Sequence, residues 1–254
     1  MPLTLAHPAA VLPFSRNSKY VNFLAMVLGS MSPDFEYFLR GKPYGDIGHT
    51  FIGFVVFNLP IVVIAYLIYK TYIHRTLFSH LPSTLQDTYS QKTSSTKLLK
   101  VFVFLYSALF GMLTHVVWDS FTHLEGFMVS NLSILTNTVH IFDLNIPIFK
   151  FLQHGGTIVG IIAIIGYMYI RTTKNRYNGG RRTTPKQKLM YWGQIALLTT
   201  ILFCLWYLID KVSIESYGII VVRIIDSALI SLLIVSLYFK HFIIRAKIVD
   251  SLLK

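Results

Sequence analysis

The sequence predicts an all-α polytopic membrane protein with about five transmembrane helices, an N-terminal half-helix and interfacial loops. Hydrophobic residues make up 54% of the 254 residues and charged residues 13%, and this charged share is about half that of soluble domains. A soluble domain of this size could not bury so much apolar surface, so lipid is the expected solvent. The single cysteine, Cys204, excludes a disulfide framework and a cysteine-rich zinc module.

The apolar residues fall into five separate stretches along the chain. A helix needs about 20 residues to cross a hydrocarbon core of about 30 Å. The second and third stretches are short, and we expect them to be completed by flanking residues. The five predicted spans are Phe51–Tyr69, Val101–Trp118, Gly155–Ile170, Leu189–Ile209 and Gly218–Phe239.

A shorter apolar run, Tyr20–Met31, precedes the first span. It cannot cross a bilayer comfortably, and Pro33 follows it closely. We therefore expect a half-helix that is re-entrant or packed at the membrane interface. Asn58 and Pro60 predict a kink within the first span.

The distribution of Lys and Arg predicts the orientation of the chain. Six of these cations fall on one side of the predicted spans (side A) and sixteen on the other (side B), with Arg223 left inside a span. The positive-inside rule places side B in the cytoplasm and side A outside the plasma (inner) membrane. Side A comprises residues 1–50, 119–154 and 210–217, and side B comprises 70–100, 171–188 and 240–254.

The loop Arg171–Lys188 carries seven of the side-B cations. We interpret it as a topology signal, because no aromatic interleaving or nucleic-acid motif accompanies it; no nucleic-acid partner is expected. This loop also suggests a domain boundary. Residues 1–175 would form the membrane domain that carries the site, and residues 176–254 the basic loop and the last two spans.

Six of the nine histidines lie on side A or at the side-A end of a span. The densest group is His115-Val-Val-Trp-Asp119-Ser-Phe-Thr-His123, whose spacing of four residues places the three side chains along one helix face. Imidazole and carboxylate are natural ligands of zinc and similar metals. Ionisable groups are costly at membrane depth, which favours a function for them. The alternative is a polar cap that ends the second span among the head groups.

Four further side-A residues strengthen the metal hypothesis. Each has a simpler explanation when taken alone: an exposed terminal residue, a turn residue or an interfacial cap. Their occurrence on one membrane face predicts a shared metal site instead. These residues are His7, Asp34, His49 and His154.

Four cations on side A could bind a phosphate group beside the metal. Ordinary surface charge is the alternative for Arg16, Lys19, Arg40 and Lys42. Within the fifth span, Arg223 and Asp226 lie three residues apart and predict an intramembrane ion pair.

Four runs of sequence resemble domain of unknown function 4184, a family of bacterial membrane proteins without a demonstrated activity. The resemblance covers roughly residues 1–240. The runs are Pro2–Ala10, Gly29–Asp34, Thr114–His123 and Leu152–Gly156.

The order of these histidines and aspartates is also similar to that in the trinuclear-zinc phosphoesterases, which include zinc-dependent phospholipase C and the S1/P1 nucleases. Membrane proteins described as metal-dependent hydrolases share similar elements. The sequence departs from the pattern at Ile158, where a carboxylate would follow His154. The resemblance implies one to three zinc ions, with His7 as the early histidine ligand. The core ligands it implies are Asp34, His49, His115 and Asp119, with Asp119 bridging two ions and with His123 and His154 at a third.

Together these observations predict a membrane-embedded zinc hydrolase whose site faces outside. A phosphoester such as a lipid head group is the expected substrate, and Asp34 or Asp119 would accept the proton of the attacking water. Two alternatives stay open. One is a non-enzymatic protein with a structural metal, and the other is a transporter that uses the histidines and the Arg223–Asp226 pair.

Overall fold

The computed structural model describes residues 3–14, 16, 18–86, 96–142, 144–174 and 183–252. Within these residues the chain is predominantly helical, and five helices are long and apolar enough to cross a membrane. The predicted all-α polytopic class is therefore confirmed. The long helices are α3 (Phe51–His80), α4 (Lys97–Ser120), α6 (Ile148–Lys174), α7 (Pro185–Ile209) and α8 (Tyr217–Leu252).

Each long helix extends beyond the apolar stretch that predicted it. Helix α6 begins at Ile148 rather than at Gly155. Polar side chains such as Gln153 and His154 therefore lie within a helix and not before it. Polar ends of this kind are invisible to a search for apolar runs.

The segment before the first span is built from short helical elements. A 3-10 helix, Thr4–Val11, opens the described chain. The predicted half-helix is α1 (Phe23–Met31), where the Asn22 side chain accepts a hydrogen bond from the Ala25 N–H at 3.1 Å. A 3-10 turn, Ser32–Asp34, follows it and leads into α2 (Phe35–Arg40).

Helix α1 packs closely against α4. A Cβ atom on Gly29 would overlap the main-chain carbonyl of Ala108, and one on Gly111 would overlap the carbonyl of Met26. Ala25 and Met112 belong to the buried cluster at this contact. The two glycines therefore set how near the backbones of α1 and α4 come.

A π-helical turn, Phe54–Asn58, lies at the predicted irregularity in α3. Pro60 has no N–H to donate within the helix, which favours a departure from α geometry at this point. The Asn58 side chain donates a hydrogen bond to the Gly48 carbonyl at 2.6 Å. Asn58 thus ties the loop before α3 to the helix itself. A second π-helical turn, Tyr69–Ile73, occurs further along.

The loop between α4 and α6 is more regular than its sequence suggests. It contains α5 (Phe127–Asn131), a 3-10 turn (Ser133–Thr136) and an antiparallel hairpin of β1 (Thr138–Ile141) and β2 (Leu144–Pro147). The register pairs Thr138 with Pro147. Buried Val129, Leu135 and Phe149 anchor this region.

The chain contacts divide into two compact units. The first comprises Met1–Phe35, Gly45–Ile64 and Tyr89–Ile170, and the second comprises Glu36–Tyr44, Ala65–Thr88 and Arg171–Lys254. The predicted domain boundary between residues 175 and 176 stays a prediction.

In the second unit α7 packs against α8. The Tyr191 hydroxyl is hydrogen-bonded to the Ser236 hydroxyl at 2.8 Å. Arg223 donates to the main-chain carbonyl of Asp210 at 2.6 Å and also pairs with its carboxylate. The predicted pairing of Arg223 with Asp226 is therefore wrong, because the end of α7 offers the guanidinium two acceptors at once.

Candidate metal centre

Two aspartates and two histidines of the first unit converge on one point. Asp34, His49, His115 and Asp119 each direct a ligand atom into a group whose members all lie within 4.8 Å of one another. Asp34 ends a 3-10 turn, His49 lies just before α3, and His115 and Asp119 lie one turn apart on α4. The spacing of four residues seen in the sequence therefore does place His115 and Asp119 together.

The distances from each histidine to each carboxylate are close to the edge length of a tetrahedral metal site. His49 Nε2 lies 3.6 Å from Asp34 Oδ1 and 3.7 Å from Asp119 Oδ2. His115 Nε2 lies 3.5 Å from Asp34 Oδ1 and 3.2 Å from Asp119 Oδ2. Ligands that bind one ion tetrahedrally at about 2.0–2.1 Å lie about 3.4 Å from each other. The four groups could thus hold a metal ion without moving far.

Hydrogen bonds orient two of these side chains. The Thr4 hydroxyl donates to Asp34 Oδ2 at 2.6 Å, which leaves Oδ1 facing the histidines. His115 Nδ1 lies 2.7 Å from the main-chain carbonyl of Ser30. A carbonyl can only accept, so Nδ1 carries the hydrogen and the neutral ring presents the lone pair of Nε2 to the group.

The loop that carries His49 is held at both sides. Asn58 fixes the Gly48 carbonyl, and the Thr50 hydroxyl accepts the Gly53 N–H at 2.9 Å as the N-cap of α3. A Cβ on Gly53 would overlap the carbonyl of Ile47, so glycine lets this loop fold back onto the helix. The His49 side chain remains 29% exposed, in contrast to the buried side chains of Asp34 and His115.

The electrostatics of the group call for a cation. The lone pair of His115 Nε2 faces two carboxylate oxygens, so the contact is repulsive unless a proton or a metal ion lies between them. Asp34 Oδ1, Asp119 Oδ1 and His115 Nε2 are buried and have no hydrogen-bond partner among the residues that the structure describes. Burying two carboxylates is costly unless positive charge is close. A bound divalent ion would satisfy these atoms together.

His7 and His123 approach the other oxygen of Asp119. His7 Nε2 lies 3.5 Å and His123 Nδ1 lies 3.6 Å from Asp119 Oδ1. The His7 ring stacks on that of His115 at 3.8 Å between centroids. Burial, followed by the nearby His115, lowers the pKa of His7 from 6.5 to about 3, so His7 is neutral at pH 7. Asp119 thus points its two oxygens at two different groups of donors.

His123 is held differently from the other histidines. Its Nδ1 lies 3.1 Å from the main-chain oxygen of Asp119 and 3.3 Å from the Thr122 hydroxyl. Burial lowers the pKa of His123. In this orientation Nδ1 donates to the Asp119 carbonyl, so the ring must turn before Nδ1 can bind a metal ion.

The remaining predicted site residues lie outside the four-residue group. His154 is exposed on α6. Arg40 pairs with Glu36 at 2.7 Å. The role of the four cations in phosphate binding stays a prediction, as does the role of His154. Each cation lies over an aromatic ring, with Arg16 over Phe23, Lys19 over Tyr20, and both Arg40 and Lys42 over Tyr44.

Sequence reasoning missed three contributors to the site. Thr4 orients Asp34, the Ser30 carbonyl orients His115, and Asn58 holds the loop of His49. Thr4 and Asn58 could have been noticed as polar side chains in apolar surroundings. A main-chain carbonyl leaves no trace in the sequence.

A family model described as "Domain of unknown function (DUF4184)" matches residues 1–237. The chain belongs to this family. No match was found among the curated proteins or the solved structures. The match covers every residue of the candidate centre and confirms the resemblance seen in the four sequence runs. The description of this family names no activity.

We expect the purified protein to hold at least one divalent metal ion per chain, and Asp119→Ala to lose it, because Asp119 faces both histidines of the group. Elemental analysis after chelator-free purification in detergent measures the content. His140→Ala is the matched control, since His140 is exposed on β1. Metal retained in Asp119→Ala with unchanged affinity would contradict the assignment.

Thr4→Val should weaken metal binding while keeping the shape of the side chain. It removes the hydroxyl that orients Asp34, and loss of such a supporting hydrogen bond typically costs about 10–100-fold in metal affinity. Competition against a chromogenic chelator gives the affinity. Thr136→Val is the control, because the Thr136 hydroxyl bonds the exposed Ser133 carbonyl. Equal affinities in the two variants would show that Thr4 does not support the site.

Proposed function

We propose that the chain is a membrane-embedded, metal-dependent hydrolase that acts on a phosphoester such as a lipid head group. The observation that carries this proposal is the group of two carboxylates and two imidazoles, in which each imidazole lies 3.2–3.7 Å from each carboxylate. Zinc is the proposed metal, since its tetrahedral sites use these ligands. The ordered likeness to the zinc phospholipase C and S1/P1 nuclease pattern supports the same chemistry.

A divalent ion in this position would supply a bound water whose pKa is lowered to about 7. The residues around it would fix the metal donors and accept the proton of the water. Asp34, held by Thr4, and His115, held by Ser30, keep the donors fixed. Within the described part of the chain Asp119 Oδ1 has no hydrogen-bond partner, and it lies next to a neutral His7. Asp119 is therefore placed to accept a proton from the water, with Asp34 as the other candidate base.

A hydrolase also requires an open position for water and substrate. Four protein donors complete a tetrahedron by themselves, which is typical of structural sites. Two features favour an open site here. His49 is partly exposed, and Asp119 Oδ1 faces His7 and His123 as a second, incomplete set of donors. We propose one or two ions. Beside a single ion Asp119 Oδ1 would accept the proton, whereas with two ions Asp119 would ligate both and Asp34 would be the base.

A set of four protein donors also supports one competing function. The metal would then be structural and would hold the Ser32–Asp34 turn and the His49 loop against α4. The two proposals differ in exchangeable water. Cobalt substitution followed by spectroscopic counting of water ligands separates them. A coordination shell without water favours the structural role.

We expect the metal-loaded protein to hydrolyse phosphoesters, and His49→Ala and Asp119→Ala to abolish turnover because each removes a donor. Release of alcohol or phosphate from a panel of phosphomonoesters, phosphodiesters and phospholipid vesicles measures this. His140→Ala should retain full activity. Turnover that survives in Asp119→Ala, or a metal-loaded wild type that cleaves none of the panel, would reject the hydrolase.

We also propose that the site faces outside the plasma membrane, as the charge distribution predicts. In a Cys204→Ala background, a cysteine at Glu125 should react with a membrane-impermeant maleimide in intact cells. A cysteine at Lys186 should react only after the cells are opened, because it lies among the side-B cations. Both positions are exposed. The opposite labelling pattern would reverse the orientation.

A further inference from the structure

An apolar groove of about 880 Å³ runs between α4 and α6 within the first unit. Its walls are formed almost wholly by hydrocarbon and aromatic side chains. Both helices belong to the five that are long and apolar enough to cross a membrane. The lining residues include Phe110, Val117, Trp118, Phe151, Gly155 and Val159.

One wall of the groove contacts the two histidines that approach Asp119 Oδ1. Trp118 packs its edge against the ring of His7 at 5.8 Å between centroids. Thr122, at the same end, places its hydroxyl 3.3 Å from His123 Nδ1. Successive residues on a helix are about 100° apart. Thr114 and Trp118 of the groove therefore flank His115 and Asp119 on the neighbouring face of α4.

The length of the groove matches one leaflet of a bilayer. Its lining on α4 begins at Phe110 and continues past the last helical residue, Ser120. Ten residues of α-helix rise about 15 Å. One leaflet contributes about 15 Å of a hydrocarbon core of about 30 Å. A chain lying in the groove would thus run from the middle of the membrane to the level of the metal ligands.

Two glycines shape the α6 wall. A Cβ on Gly156 would lie 3.2 Å from Trp118 Nε1, so the indole packs closely against the helix backbone at this glycine. A Cβ on Gly155 would meet nothing within 4 Å, although Gly155 lines the groove. The space in front of Gly155 is therefore open and wide enough for a ligand.

We propose that this groove binds a fatty acyl chain of a membrane phospholipid and thereby places the phosphoester of its head group at the metal centre. The proposal rests on the proposed hydrolase function and names its substrate class. Continuity with the metal centre, apolar walls and a length of one leaflet favour an acyl chain over a soluble phosphoester.

The test uses the full chain reconstituted in vesicles of phosphatidylethanolamine and phosphatidylglycerol. A phospholipid with a photoreactive diazirine on its acyl chain is crosslinked, and the labelled peptides are mapped by mass spectrometry. Gly155→Phe fills the groove without a steric clash at the Cβ. Gly166→Phe is the matched control, because it lies on the same helix and its Cβ also meets nothing within 4 Å.

We expect crosslinks at Val117 and Val159 in the wild type and in Gly166→Phe, and their loss in Gly155→Phe. Metal content should be the same in all three proteins, which shows that the centre has folded. Gly155→Phe should also lose hydrolysis of the long-chain phospholipid while retaining that of a short, water-soluble phosphodiester.

Undiminished crosslinking in Gly155→Phe would overturn the proposal, as would displacement of the probe by a polyprenyl phosphate but not by phospholipid. The experiment can reject the hydrolase and the acyl-chain site independently of each other. Hydrolysis without crosslinks in the groove would keep the hydrolase and reject the chain-binding site. Groove crosslinks in a wild type that cleaves no phosphoester would support the binding site and reject the hydrolase.

Discussion

The burial of Asp34 and Asp119 beside each other is the constraint on which the first unit depends. Their carboxylates lie at the end of an apolar helix, where unpaired negative charge is costly. Thr4 takes one oxygen of Asp34, and two histidines approach the oxygens that remain. The 3-10 turn after α1 and the loop before α3 bring these groups together. Folding of this region therefore requires that the negative charge of these carboxylates be neutralised.

A bound ion would neutralise this charge and would join segments that are distant in sequence. Its donors would come from the Ser32–Asp34 turn, the His49 loop and the last turns of α4. A ligand that binds only the folded arrangement stabilises it by mass action. Stability of the first unit and occupancy of the centre should therefore be linked. The second unit, with its Tyr191–Ser236 and Arg223–Asp210 contacts, contributes none of these donors.

Much of the fold and part of the site can be predicted from the sequence because they depend on local patterns. Hydropathy locates the five long helices, and the spacing of His115 and Asp119 places them on one face of α4. Contacts that depend on how elements pack cannot be predicted in this way. Helix α6 starts earlier than its apolar stretch, so His154 lies exposed well inside it. Arg223 likewise pairs with Asp210, which lies at the end of α7 across a loop that hydropathy does not describe.

The close packing of α1 on α4 brings a main-chain group into contact with one of the metal ligands. Gly29 and Gly111 let the two backbones approach, and the Ser30 carbonyl then meets His115 Nδ1 at 2.7 Å. The group that fixes this imidazole belongs to the main chain, so no change of the Ser30 side chain deletes it. Sequence comparison of ligands alone would overlook such a support. A larger residue at Gly29 or Gly111 would therefore move this support away from His115 without changing any ligand.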